Sequence, residues 1–167
     1  MVRVWLIGTL LLLAGCGGGS SGGAALGTSS SLECAPFARQ VSGIQLYGDA
    51  ASWWDQASGR YEQSRRPVEG GVLVFRRSGR LPSGHVSVVV ESVSGREIRV
   101  TQANWVHHRI GRNEPVRDVS PGNDWSRVRV WWAPSGGLGT TVYPTYGFIV
   151  PEQARPRREL LAGLAAP

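Results

Sequence analysis

The apolar and polar positions divide the chain into a leader, a stretch with little to bury, and a patterned domain. Behind a single Arg3, residues 4–13 are an almost unbroken apolar run, whereas residues 17–31 are mostly Gly, Ser and Ala. Patterning begins near Leu32. Pro36, Phe37, Ala38 and Val41 follow Cys34 with few polar interruptions, which predicts a helix from Cys34 to about Gly43. Pro36 suits the first turn, since it lacks only an N–H that would be orphaned there, and Gly43 suits the stop. Asp49 is the expected N-cap of a short helix carrying Ala50, Trp53 and Trp54. Residues 60–70 read as polar loop. Strands are expected at about 72–76, 85–91, 98–102, 127–132 and 146–150. The run Val86 to Val90 is apolar and β-branched, so it reads as a buried strand with His85 at its first position. In 96–105 Ile98, Val100, Gln102 and Asn104 fall on one face, because strand side chains repeat every second residue. A turn at Ser94-Gly95 would bring that end back beside His85. Residues 109–126 read mostly as loop, turning at Pro121-Gly122-Asn123-Asp124. Helices first and strands later predict an α+β fold with an antiparallel sheet.

The leader changes the picture of cysteine usage. Its apolar run is shorter than an ordinary transmembrane helix and ends in Leu13-Ala14-Gly15-Cys16, which resembles a bacterial lipobox. Cys16 is therefore the expected lipidation site. Residues 1–16 would be a lipoprotein signal peptide, 17–31 a flexible tether, 32–151 the domain and 152–167 a tail. The expected address is a bacterial membrane, lipid-anchored and facing the periplasm. With two cysteines in the chain, a disulfide is the bland alternative. Assigning Cys16 to the anchor leaves Cys34 unpaired.

Charge narrows the partners. The 167 residues carry a net +6, and all 18 basic residues are Arg. Such a balance suits nucleic acid, an anionic membrane or an acidic polymer. Much of it lies at Arg65-Arg66, Arg76-Arg77 and Arg155 to Arg158, which read as solvated turns and termini, and no nucleic-acid motif accompanies it. No nucleic-acid partner is expected. His107 and His108 are adjacent and would diverge, unlike the spaced ligands of zinc sites, so no metal is expected and no cofactor is needed. Of the seven tryptophans, Trp54 and Trp105 are the expected substrate-binding pair, while Trp131 and Trp132 read as core or sheet packing. The molecule is expected to be a monomer.

Three segments carry candidate chemistry: Glu33-Cys34-Ala35-Pro36-Phe37-Ala38-Arg39, Gly84-His85-Val86 and Gln102-Ala103-Asn104-Trp105. A cysteine attacks a carbonyl as thiolate and needs a base nearby. A helix start would lower the Cys34 pKa. An imidazole takes the proton and returns it to the leaving amine, and a third polar group fixes its tautomer. The order Cys, His, Asn is that of papain-like enzymes.

These segments, with Tyr47-Gly48-Asp49-Ala50, Trp53-Trp54 and Gly71-Val72-Leu73-Val74-Phe75, resemble the CHAP domain, the cysteine, histidine-dependent amidohydrolase/peptidase group of papain-like hydrolases. The resemblance runs from about residue 32 to about 151. It implies a papain-like α+β fold, with N-terminal helices packed on an antiparallel β-sheet, and peptidoglycan as substrate. It implies Cys34 as nucleophile, His85 as base and Asn104 as a member of the third polar site. Two positions depart from the family. Glu33 stands where Gln is common, which leaves backbone N–H groups to bind the oxyanion. Gln102 stands where an acid or His is common, which leaves Gln102 or Asn104 to orient His85, with Asn104 favoured. A non-catalytic wall-binding module on the same fold is the rival expectation.

Overall fold

A computed structural model describes residues 32–154. The expected leader, the Cys16 lipobox, the tether and all but the first residues of the tail lie outside the described residues. Helix α1 (Cys34–Ser42) is followed by a 3-10 turn (Ala50–Ser52) and helix α2 (Trp53–Ala57). Eight strands come next: β1 (Glu62–Ser64), β2 (Val72–Phe75), β3 (His85–Ser94), β4 (Glu97–Ala103), β5 (Ile110–Asp118), β6 (Arg127–Trp132), β7 (Gly137–Leu138) and β8 (Tyr143–Val150).

The strands pair antiparallel in the order β8-β2-β3-β4-β5-β6, and β6 pairs back onto β8 through Val128 and Tyr143. This closes a six-stranded barrel, with β1 and β7 as short additions. The expected papain-like α+β layout, with N-terminal helices packed on an antiparallel β-sheet, is therefore overturned. Strand makes up 41% of the structure and helix 19%, and the helices are two short segments. The physical reason lies in β5. It was expected to be loop because Gly111, Arg112, Asn113, Glu114, Pro115 and Arg117 dominate it. Val116 and Asp118 nonetheless bury their side chains, and the strand pairs with β4 on one side and β6 on the other. Without β5 the sheet would stay open. β1 likewise forms in a segment expected to be loop.

The closed sheet explains the unbroken apolar runs, since strands covered on both faces lose the alternation of one-sided strands. In β2, Leu73 and Phe75 point into the barrel with Val89, Ile98, Val100, Val116, Val130 and Phe148. Val72 and Val74 point outward and pack with Val86, Val88 and Ile149 against Ala35, Ala38, Ile44, Leu46 and Trp53. Helix α1 thus lies on the outer face of the barrel beside β3. It ends where expected: Gly43 takes a left-handed φ of 76° and its N–H reaches the Arg39 carbonyl at 2.9 Å. Asp49 precedes the 3-10 turn but makes no side-chain cap, because its carboxylate pairs with Arg77 at 2.6 Å.

Candidate active site

Cys34 is the first residue of α1, preceded by Glu33 in extended conformation (φ −79°, ψ 144°). Ala35 and Ala38 anchor the helix to the outer core and leave Cys34 half-buried at the start of the first turn. Cys34 is a free thiol. Burial pushes that thiol above its ordinary value of 9.0, a backbone bond from Val86 partly opposes this, and the neighbouring Glu33 adds to it. The expected lowering by the helix start is thus outweighed by desolvation, which disfavours the charged form.

His85 opens β3 opposite Phe75. Gly84 before it has a φ of +73°, and a Cβ there would meet Ala51 Cβ at 2.6 Å and the Phe75 carbonyl at 2.7 Å. Only glycine therefore delivers the chain to His85 at this point. The imidazole is buried and packs edge-on against Phe75 (5.4 Å) and Trp105 (5.0 Å between ring centres). Burial pushes its pKa from 6.5 down to about 4, with the bond from Gln102 opposing.

The third polar group is where the structure departs from the favoured residue. His85 Nε2 lies 2.9 Å from Gln102 Oε1. Gln102 is fully buried on β4, and its Nε2 donates to Glu114 Oε2 at 2.8 Å. A carboxylate oxygen only accepts, so the Gln102 nitrogen must face Glu114 and its oxygen must face the ring. It follows that His85 Nε2 carries the proton and Nδ1 holds the lone pair.

Asn104 does not bond the ring. Strand β4 ends at Ala103, and Asn104 turns out of the alternation with a φ of 61°. Asparagine tolerates that region better than most residues. Its Nδ2 donates to Glu33 Oε2 at 3.0 Å, and its Oδ1 accepts from the His108 N–H at 3.0 Å. The expectation that Gln102 and Asn104 share a face fails because period two holds only as long as the strand does.

Cys34, His85 and Asn104 line one cleft of about 510 Å³, together with Glu33, Arg80 and Gly84. Trp105 stands beside this cleft: its ring walls His85, and its Nε1 donates to the Trp131 carbonyl at 3.0 Å. Trp54, the other expected substrate contact, is not a lining residue of the cleft. It stacks on Tyr146 (5.7 Å, 9°) and packs on the outer core. Sequence reasoning missed Glu114 and Arg80. The signal for Glu114 was its spacing of two from Val116 and four from Asp118, which places it on the buried face of a strand whose charges masked it.

A thiol and an imidazole lining one cleft, the ring held in one tautomer, can carry out nucleophilic acyl transfer. The family model of the CHAP domain matches residues 25–104, a span that includes Cys34, His85, Gln102 and Asn104 and stops short of Glu114. Over those residues the chain is similar to the CHAP domain. This family comprises cysteine- and histidine-dependent amidohydrolases, which ties the chain to hydrolase or amidase chemistry on peptidoglycan. No curated protein matches the chain.

Proposed function

We propose that this chain is an exported, lipid-anchored thiol hydrolase that cleaves amide bonds of peptidoglycan, as an amidase or endopeptidase, and acts as a monomer. The observation that carries the reading is the placement of Cys34 and His85 on one cleft, with His85 Nε2 held by Gln102 at 2.9 Å. His85 Nδ1 takes the Cys34 proton as Sγ attacks the carbonyl carbon. The oxyanion is held by backbone N–H groups at the start of α1, since Glu33 brings an acceptor rather than a donor. His85 then gives its proton to the leaving amine as the C–N bond breaks. Water, deprotonated by the same ring, attacks the thioester, releases the carboxylic acid and restores the thiol. Gln102 orients the ring, and Glu114 orients Gln102.

Purified peptidoglycan incubated with the protein tests this. Wild type should release fragments carrying new amine and carboxyl ends, and Cys34→Ala and His85→Ala should each lose several powers of ten in rate, as members of one catalytic unit do. Equal release by wild type and Cys34→Ala would sink the thiol-hydrolase reading, and no release by either would leave the wall-binding module. Anchoring is read separately: Cys16→Ser should leave the membrane fraction, and an unmodified N-terminus in an intact-mass measurement of the native protein would exclude the anchor.

A further inference from the structure

Three arginines lie in or beside the segment that forms one lip of the cleft. Arg76 sits over the Tyr146 ring at 4.4 Å and donates to the Thr145 carbonyl at 3.1 Å. Arg77 pairs with Asp49 at 2.6 Å and donates to the Pro82 carbonyl at 2.8 Å. Arg80 alone of the three makes no hydrogen bond, ion pair or ring contact within the described residues. Its backbone is nonetheless fixed. Ser78 and Leu81 exchange two backbone hydrogen bonds of 3.0 Å across it, and the Gly84 N–H ties Leu81 back at 3.0 Å.

Arg80 also lines a second pocket. Beyond the catalytic cleft lies a cavity of about 320 Å³, walled by Trp105, Trp132, Tyr143, Thr140 and Thr141, and Arg80 borders both spaces. The Trp105 indole meets His85 at 5.0 Å and Tyr143 at 5.0 Å, so a single ring stands between the base and this pocket. Trp132 leaves 42% of its surface open. Neither carboxylate lining the cleft pairs with Arg80: Glu33 accepts from Asn104, and Asp49 pairs with Arg77.

We propose that Arg80 and the pocket behind it form a subsite for a carboxylate-bearing residue of the substrate, adjacent to the amide that Cys34 attacks. This rests on the amide-hydrolase reading and deepens it by naming what lies on one side of the bond. The guanidinium takes the carboxylate through paired N–H donors, a geometry a planar fork satisfies and an ammonium does not. The aliphatic part of the same residue lies against Trp132 and Tyr143. An uncharged residue at that place leaves the guanidinium solvated and gains only the aromatic contact.

The test measures binding apart from hydrolysis. Full-length Cys34→Ala protein is titrated with a peptidoglycan stem peptide carrying a free side-chain carboxylate, and with the same peptide amidated at that position. The acid form should bind about ten-fold more tightly, a preference of the size of one charge-assisted bond and weakened by salt. Arg80→Ala in the same background should bring the two peptides to equal affinity, Arg80→Lys should restore part of the difference, and Trp132→Ala should weaken both. Equal binding of the two peptides by the Cys34→Ala protein, or a preference that survives Arg80→Ala, overturns the subsite. Fragment release from peptidoglycan by wild type is scored separately. A preference that depends on Arg80 in a protein releasing nothing would sink the hydrolase reading and leave the subsite standing.

Discussion

Gln102 accepts the Nε2–H of His85 at 2.9 Å, while Asn104, two residues on, spends its amide on Glu33 at 3.0 Å. On the proposed mechanism, that contact makes Gln102 the residue that orients the imidazole. Gln102→Ala should lower turnover on the order of a hundred-fold, the scale of a misplaced catalytic group. Asn104→Ala should lower it by less than about ten-fold and act mainly on stability, because alanine at a φ of 61° is strained by roughly 1 kcal/mol. Turnover of both variants on one substrate decides the order, and a larger loss at Asn104 would reverse it.

The next link is Glu114, whose Oε2 accepts from Gln102 Nε2 at 2.8 Å. Glu114→Gln keeps an acceptor oxygen in place and should leave turnover close to wild type. Glu114→Leu strands a buried N–H, which costs about 1–3 kcal/mol and frees Gln102 to rotate. Turnover should then fall by roughly ten-fold or more. Gly111 offers an independent check, since a Cβ there would run into the Glu114 carboxylate. Gly111→Ala should therefore reproduce the kinetic loss of Glu114→Leu without touching the carboxylate's chemistry. Unchanged turnover in both variants would remove Glu114 from the chain of contacts.

What was legible in the sequence followed local rules. Pro36 and Gly43 bounded α1, and the Val86 to Val90 run marked β3 with His85 at its head, because capping and burial act within a few residues. Closure of the barrel was not legible. It depends on β5, whose Pro115 and four charged residues read as loop, and whose strand state comes from pairing on both sides. The expected contact of Asn104 with the His85 ring is absent for a related reason. Alternation placed Asn104 with Gln102, but the strand stops between them. The thiol's pKa also ran against expectation, because a helix start is visible in sequence and the burial that outweighs it is not.

Gly84 tests how tightly the fold holds His85. Gly84→Ala forces a Cβ to within 2.6 Å of Ala51 Cβ and 2.7 Å of Ala51 N, at a φ of +73° that alanine disfavours. Strain and overpacking together should cost about 3 kcal/mol. Because His85 is the next residue, turnover should fall further than the loss of folded protein accounts for. Urea unfolding compared with turnover per folded molecule separates the two effects, and a variant as stable as wild type would contradict the close approach.

On the proposed mechanism the pH behaviour follows from the opposite shifts of Cys34 and His85. Burial holds His85 at about 4, below its usual 6.5, and burial, with Glu33 adding, holds the Cys34 thiol above 9.0. These shifts predict that no thiolate–imidazolium pair forms at rest and that, in the proposed mechanism, the proton moves as the thiol attacks. Iodoacetamide should therefore alkylate Cys34 at neutral pH more slowly than it alkylates the unfolded chain, with a rate that climbs through the alkaline range. A plateau reached below pH 7 would show a preformed ion pair and refute this. The acid limb of kcat/KM should fall near pH 4, where the base becomes protonated. Stability follows with a definite sign. The unfolded histidine binds its proton at about 6.5 and the folded one only near 4, so the unfolded state gains protons first on acidification. Stability is then full above about 6.5 and falls by about 3 kcal/mol as the pH drops to 4, with no further loss from this residue below that. Asp49, held low by Arg77, and Asp124, held at about 2 by Ser126, lose their stabilising contributions only as the pH falls below about their usual 3.8 and so leave most of the His85 window clear. Urea unfolding across pH 4 to 7 should show this slope in wild type and lose most of it in His85→Phe, and an equal slope in both would place the dependence elsewhere.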